Sequence, residues 1–301
     1  WGEPFGFARR AWKARPTVPL VLALLTASAA VHAAPRTYEV RGMVIAVDVA
    51  RRTFVVSHEA IDGFMPAMAM PFEVADAAEL AQVVPGALVT FTLRVDDRAG
   101  YASHIRLRRY ETVQQDPLAA RRLALLNQAV GRQRHVLSVG EAVPDFALID
   151  QARQSVRLSA LAGRVVVVNF IYTRCAIPQF CPRMTNDFSV LQRRFQGRLG
   201  TDLVLLSVTF DPVRDQPDVL ARYAAQWRAD GRSWHFLTGV PADVRRVCDL
   251  FGVDAFFDEG LMTHSLRTAV IDRRGRVAAS IEGNEFTPEQ LGDLVGRVLG
   301  Q

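Results

Sequence analysis

Apolar and polar residues alternate along the first part of the chain in a pattern typical of β-strands. Arg51-Arg52, Pro85-Gly86 and residues 96–100 interrupt this alternation as turns. The predicted strands are residues 38–48, 53–57, 72–74, 87–95 and 101–109. Short strands joined by close polar turns favour a small closed barrel, which we predict over residues 36–110.

A mixed α/β pattern begins near residue 139. Residues 165–172 and 203–209 are almost continuously apolar, as expected of strands buried on both faces of a sheet. The predicted helices are residues 217–227, 241–251 and 287–299, and a hairpin is predicted from strands 266–272 and 276–281. Thr287 and Gln290 stand in capping-box positions at the start of the last helix. Residues 139–301 are therefore predicted to form a central sheet covered by helices.

Two further segments lie outside these domains. Residues 117–129 have helical apolar spacing and many Arg and Gln residues, so we expect a helical linker over residues 111–138. The basic residues between Arg9 and Arg15, the apolar run 19–31 and the small residues around Ala33 predict a signal peptide over residues 1–33. An uncleaved signal anchor is the alternative. Both place the rest of the chain in an extracytoplasmic, oxidising compartment.

The composition is that of a globular protein with about two domains. Of the 301 residues, 50% are apolar and 22% are charged. The net charge is +5, but most of it lies in the first 33 residues and no concentrated basic face is evident, so we expect no nucleic acid as a partner. Lys13 is the only lysine, which excludes a catalytic lysine or a Walker-type phosphate loop in either domain. After residue 33 no apolar run reaches bilayer-spanning length, so contact with the membrane is expected only through an N-terminal anchor.

Two of the three cysteines lie close together after a predicted buried strand. Cys175 follows that strand, and Cys181 stands where the next helix is predicted to start, with Pro182 after it. The helix dipole favours a thiolate at Cys181, and Arg174 is expected to add to this effect. Two cysteines on one loop form either a stabilising disulfide or a chelate for a soft metal, and both alternatives stay open.

His264 is the histidine most suited to join these cysteines, because it stands directly before a predicted apolar strand. Two thiolates and one imidazole would suit Cu(I); an ordinary surface or capping histidine is the alternative. His235 is expected to be structural, and Cys248 to pack in the core. Residues 211–215 are expected either to cap the following helix as a polar turn or to shape the site.

A second cluster of soft donors lies in the predicted barrel. Three of the six methionines, Met65, Met68 and Met70, fall within six residues. Met68 and Met70 share a face if the segment is extended, and Pro66 and Pro71 confine it to a short or edge strand. Thioethers prefer Cu(I) or Ag(I). Methionine as core filler is the alternative.

The second half of the chain resembles the Sco/SenC family of copper-binding proteins, which have a thioredoxin-like fold. The resemblance covers residues 139–301 and is carried by Pro144-Asp145-Phe146, 167–175, Cys181-Pro182, 208–215, His264 and 271–275. It implies that Cys175, Cys181 and His264 bind copper. It also implies a role in metallating the CuA centre of cytochrome c oxidase, or as a thiol–disulfide reductant. The family usually has three residues between its two cysteines, whereas this chain has five.

The first domain resembles the small periplasmic Cu(I)/Ag(I)-binding barrels of the CusF type, which are OB-like. That family binds its metal with a histidine, two methionines and a tryptophan in a Trp-Pro-x-Met-x-Met stretch. His58, Met68 and Met70 match the histidine and both methionines, and Met65 stands in the place of the tryptophan. The resemblance implies a Cu(I) site in which Met65 replaces the aromatic cap with a third thioether.

These observations lead to the hypothesis of a periplasmic copper-binding metallochaperone that is not an enzyme. It would hold Cu(I), or Cu(II) at the Cys/Cys/His site, and deliver it to a cytochrome c oxidase subunit or another extracytoplasmic acceptor. The alternative is a periplasmic thiol–disulfide oxidoreductase that uses Cys175 and Cys181 and is recycled by a thiol–disulfide reductant. Copper binding requires His264, whereas disulfide exchange does not. Sequestration of copper alone is a third hypothesis, which would need little more than the barrel.

Overall fold

The structure is a computed structural model that describes residues 35–96, 99–108, 135–258 and 261–300, together with Trp1 and Leu125. Apart from Trp1, the predicted signal peptide or anchor at 1–33 lies outside the described residues. So does most of the predicted linker at 111–138, of which the described residues 135–138 form no helix. Within the described ranges, no helix is both long and apolar enough to cross a membrane.

Five strands close into the predicted barrel, in the order β1-β2-β3-β5-β4. Their bounds are β1 (Arg36–Asp48), β2 (Thr53–His58), β3 (Met68–Val74), β4 (Leu88–Val95) and β5 (Gly100–Leu107). β3 is longer than predicted and pairs with β2 from Met68 to Glu73, but with β5 only at Glu73 and Val74. The first residues of β3 are therefore paired on one side only and form an edge of the barrel sheet, as the positions of Pro66 and Pro71 predict.

The second half forms a seven-stranded sheet in the order β14-β13-β8-β9-β10-β6-β7. Its strands are β6 (Ala147–Asp150), β7 (Ser155–Arg157), β8 (Val165–Ile171), β9 (Leu203–Thr209), β10 (Trp234–Thr238), β13 (Arg267–Ile271) and β14 (Val277–Glu282). The helices are α1 (Cys181–Arg194), α2 (Pro217–Gln226), α3 (Pro241–Leu250) and α4 (Pro288–Leu299). A separate hairpin pairs β11 (Ala255–Asp258) with β12 (Leu261–His264). The predicted sheet covered by helices is confirmed; the edge strands β6 and β7 and the β11–β12 hairpin were not predicted.

Chain direction within the sheet determines where the site lies. β8, β9 and β10 run parallel, and every residue of β8 and β9 is buried, as their apolar sequences predict. β13 runs antiparallel to β8, so the start of β13 lies at the carboxyl end of β8. The loop after β8 and the segment before β13 therefore meet at one edge of the sheet.

The barrel packs directly on the α/β part, and residues 34–301 form one compact unit. The barrel residues that join the buried apolar cluster of the α/β part are Met43, Ile45 and Leu88. Gly86 adopts φ +89°, and a Cβ atom there would lie 3.1 Å from the Ser280 carbonyl oxygen and 3.2 Å from the Ala279 Cβ. Only glycine allows this close approach without strain.

Candidate metal centre

The loop after β8 carries both candidate cysteines, and the hairpin before β13 brings the candidate histidine to them. Cys181 is the first residue of α1, with Pro182 in the first helical turn, as predicted. One ligand atom each of Cys175, Cys181 and His264 lie within 4.8 Å of one another. The structure thus assembles the three residues that the sequence singled out, from segments about 90 residues apart.

The three side chains differ in exposure. Cys181 is fully buried, His264 is 9% exposed, and Cys175 is only partly buried. None of the three cysteines in the chain, each of which the structure describes, is in a disulfide bond. Nδ1–H of His264 donates to the Ser265 carbonyl oxygen at 3.1 Å, which leaves the lone pair of Nε2 available for a metal.

Aromatic rings surround His264. The centroid of its ring lies 4.7 Å from that of Phe210, 5.8 Å from that of Tyr172 and 6.0 Å from that of Phe180. These rings restrict the orientation of the imidazole and limit its contact with water. Sequence reasoning missed them as site residues, although each stands within a few residues of a motif that it did single out.

The two thiols share a proton unequally. The pKa of Cys175 is lowered to about 4, mainly by a hydrogen bond with the Cys181 thiol and also by one with His264, against the effect of burial. The same hydrogen bond, together with burial, raises the pKa of Cys181 well above its usual value. The expectation that Cys181 carries the thiolate is thus reversed, because its hydrogen bond with Cys175 and its burial together outweigh its position at a helix start.

The loop after β9 contacts the start of the cysteine loop. Arg174, which was expected to support a thiolate, pairs with Asp211 at 2.9 Å. The N-cap of α2 is Gln216, so residues 211–215 do not supply the predicted cap. Residues 211–215 were expected either to cap the helix or to shape the site, and the structure favours the second alternative.

In the barrel, His58 lies directly across from Met68 on the paired strands β2 and β3. Met70 is two residues further along β3, so the side chains of His58, Met68 and Met70 share one face. His58 is 1% exposed and Met68 is 47% exposed, so the cluster extends from the barrel interior to its surface. Met65 packs against the barrel core in a loop that is closed by hydrogen bonds between the Ile61 and Met65 backbones.

The His58 ring is oriented as a ligand would be. Its Nδ1–H donates to the Glu59 carbonyl oxygen at 2.7 Å. Its Nε2 is buried and has no hydrogen-bond partner among the described residues. A buried nitrogen without a partner costs stability, so the unfilled lone pair of a histidine that lies directly across from Met68 fits a soft metal ion.

The remaining candidates are structural. Nδ1 of His235 lies 3.0 Å from Oδ2 of Asp150, across the β10–β6 pair. Cys248 on α3 is 5% exposed and belongs to the apolar core, as predicted.

Comparison with known proteins assigns both halves of the chain. A model of the SCO1/SenC family matches residues 137–299, which is more than half of the chain. The chain belongs to the SCO1/SenC family. A model of the copper binding periplasmic protein CusF matches residues 37–106. Both resemblances found in the sequence are thereby confirmed.

Relatives in this family come from distant bacteria. A SCO1 protein homolog of Bacillus subtilis (strain 168) is 31% identical over 164 residues, which are 53% of this chain and 83% of the relative. A SCO2-like protein of Rickettsia typhi is 29% identical over 151 residues, 46% of this chain and 68% of the relative. Among solved structures, Bradyrhizobium japonicum ScoI with copper bound is 25% identical, with a TM-score of 0.45. The match covers 52% of this chain and 99% of that chain.

Proposed function

We propose that this SCO1/SenC protein is a periplasmic copper metallochaperone. It binds Cu(I) through Cys175, Cys181 and His264 and delivers the ion to an extracytoplasmic acceptor, for which a cytochrome c oxidase subunit is our candidate. The observation that carries the proposal is the convergence of two free sulfurs and one imidazole within 4.8 Å at an edge of the sheet.

The donor set suits a cargo ion. Thiolates and imidazole bind Cu(I) strongly, and the same imidazole also accepts Cu(II). Cys181 and His264 are buried and hold the inner side of the site, whereas Cys175 is accessible. An incoming soft ligand from the acceptor would therefore replace Cys175 first, and copper would pass by ligand exchange without release as a free ion.

We propose a second Cu(I) site in the barrel, with His58, Met68 and Met70 as ligands and Met65 as a third thioether. Three features support it: the shared face of the side chains, the bare Nε2 atom of His58, and the match to the CusF model. Thioethers resist oxidation better than thiols do, which suits an exported protein. The CusF match also supports the periplasm as the compartment.

An anaerobic Cu(I) titration of the reduced protein against a competing chelator tests this function. We expect two tight equivalents. The double variant Cys175→Ala, Cys181→Ala should lose one equivalent, and His58→Ala should lose the other. If both variants keep the wild-type stoichiometry, the proposed sites are wrong.

A second candidate function is thiol–disulfide exchange, favoured by the unequal sharing of the proton between the two thiols. The Cys175 thiolate would attack a substrate disulfide, form a mixed disulfide and release one substrate thiolate. Cys181 would then attack the Cys175 sulfur and release the second, which leaves the substrate reduced by two electrons. An external dithiol would reduce the resulting Cys175–Cys181 disulfide.

His264→Ala separates the two functions. A metallochaperone should lose at least about tenfold in Cu(I) affinity, or about 1.4 kcal/mol, while its dithiol still cycles with glutathione. The exposed histidine variant His104→Asn is the matched control. If His264→Ala retains Cu(I) affinity but the wild-type dithiol reduces protein disulfides, the reductase function replaces the chaperone function.

A further inference from the structure

The loop between Cys175 and Cys181 is longer than the corresponding loop usually is in this family. Five residues separate Cys175 from Cys181, yet their sulfurs and the His264 ligand atom lie within 4.8 Å. A longer loop loses more conformational entropy when it adopts one shape. Some contact outside the loop must therefore favour the shape that brings the sulfurs together.

The first end of the loop is held by Asp215. Asp215 is fully buried, and its carboxylate accepts three hydrogen bonds. The donors are the Thr173 backbone N–H at 3.0 Å, the Thr173 hydroxyl at 2.6 Å and the Thr209 hydroxyl at 2.6 Å. One side chain thus ties the residue two positions before Cys175 to the end of β9.

The second end of the loop is held by Asn284, in the segment between β14 and α4. Asn284 is 4% exposed, and its Nδ2 donates a hydrogen bond to the Gln179 carbonyl oxygen. Gln179 stands two positions before Cys181. Between the two ends, the Phe180 N–H donates to the Ile177 carbonyl oxygen at 3.0 Å, which folds the middle of the loop back on itself.

We propose that Asp215 and Asn284 are positioning residues of the Cys175/Cys181/His264 centre. Each fixes the backbone two residues ahead of one cysteine, and together they set the separation of the two sulfurs. Neither touches the ligand atoms; they act through Thr173 and Gln179. Outer partners of this kind typically contribute 10–100-fold to metal affinity. The expected change in Cu(I) affinity rests on the proposed function. The expected change in the thiol–disulfide equilibrium of Cys175 and Cys181 does not.

The test uses the full-length variants Asp215→Ala and Asn284→Ala. Asp218→Ala is the matched control, because Asp218 lies three residues from Asp215 and pairs only with the exposed Arg222 among the residues described. Two quantities are measured: the Cu(I) affinity of each site by chelator competition, and the equilibrium constant of the Cys175–Cys181 pair with glutathione. Circular dichroism shows whether each variant is folded.

For both alanine variants we expect the Cu(I) affinity of the Cys/Cys/His site to fall at least about tenfold. The affinity of the barrel site should stay within twofold of wild type, which makes it an internal control. The glutathione equilibrium should shift at least threefold towards the dithiol, because the sulfurs of a loosened loop meet less often and the loop loses more entropy when the disulfide forms. Asp218→Ala should change neither quantity.

The proposal is overturned if Asp215→Ala leaves both quantities within twofold of wild type, or if both copper sites weaken equally. Should Asp215→Ala fail to fold, Asp215→Asn, which keeps one acceptor oxygen for the two threonines, is judged by the same criteria. If the wild-type centre binds no copper, the proposed function fails, and the glutathione equilibrium alone decides whether the two residues position the cysteines.

Discussion

The side-chain amide of Gln290 donates a 3.0 Å hydrogen bond to the carbonyl oxygen of Ser57, the residue before the candidate ligand His58. The hydroxyl of Ser57 donates to Asp293 on the same helix at 2.7 Å. Gln290 also completes the capping box of α4 with Thr287, so one buried side chain both starts the helix and holds the barrel to it.

The same end of α4 is attached to the cysteine loop. Arg183, two residues beyond Cys181, donates to the Phe286 carbonyl oxygen at 3.0 Å, just ahead of the helix. Both candidate metal sites therefore depend on how α4 begins.

We expect Gln290→Ala to lower the free energy of unfolding by about 1–3 kcal/mol, because it removes one of the two hydrogen bonds of the capping box and the side-chain donor to the Ser57 carbonyl oxygen. Urea denaturation measures the change. The barrel and the α/β part should still unfold in one transition, since they share a core. The exposed neighbour Glu289→Ala is the control, and an equal effect of the two variants would contradict the prediction.

Cys175 should react with iodoacetamide at a rate that is nearly constant between about pH 5.5 and pH 8. Its pKa is lowered to about 4 by the hydrogen bond with Cys181, so the reactive thiolate is already formed throughout this range. Cys181 and Cys248 are buried and should react slowly. Mass spectrometry of the labelled peptides gives each rate.

Two variants check that assignment of the reactive thiol. Cys175→Ser should abolish the fast labelling, and Cys248→Ser should leave it unchanged. A labelling rate that instead rises about tenfold per pH unit up to pH 8 would show a cysteine with an ordinary pKa.

Met65→Leu should weaken Cu(I) or Ag(I) binding at the barrel by about tenfold, or about 1.4 kcal/mol, if its thioether is a ligand. The measurement is chelator competition in the Cys175→Ala, Cys181→Ala background, so that only the barrel binds. Met43→Leu is the control, because Met43 is fully buried in the core shared with the α/β part. Identical affinities for the two variants would assign Met65 to core packing alone.

Asp187 should contribute a decrease in the free energy of unfolding as the pH rises from about 4 to about 7. Burial raises the pKa of Asp187 on α1 from 3.8 to about 7, with Arg183 lowering it and Glu289 raising it. The folded state therefore holds the proton more tightly than the unfolded state, so this contribution is present at low pH and lost as the pH passes the folded pKa.

Asp187→Asn should remove this dependence and raise the free energy of unfolding at about pH 8 by at most about 4 kcal/mol. Urea denaturation at about pH 5 and pH 8 measures it. Asp218→Asn, on an exposed helix face, is the control. A wild-type and an Asp187→Asn protein with the same pH dependence would show that Asp187 is ionised in both states.

Much of the fold follows from local patterns. The apolar sequences of β8 and β9 predict strands buried on both faces, and the capping box at Thr287 predicts the start of α4 to within one residue. The short edge strands β6 and β7 escaped prediction, because four or three residues carry too little periodicity. The β11–β12 hairpin, which carries His264, escaped it for the same reason.

The sequence by itself determined the candidate ligands, which are the soft donors Cys175, Cys181, His264, His58, Met65, Met68 and Met70 in two domains of recognisable families. Only the tertiary structure decided how those candidates are arranged. The direction of β13 relative to β8 brings His264 to the cysteines, and Asp215 and Asn284 reach the loop from 42 and 105 residues away in the chain. The hydrogen bond between the two thiols and the burial of Cys181, not its position at a helix start, decided which thiol carries the charge, because both depend on how the whole fold packs around the sulfurs.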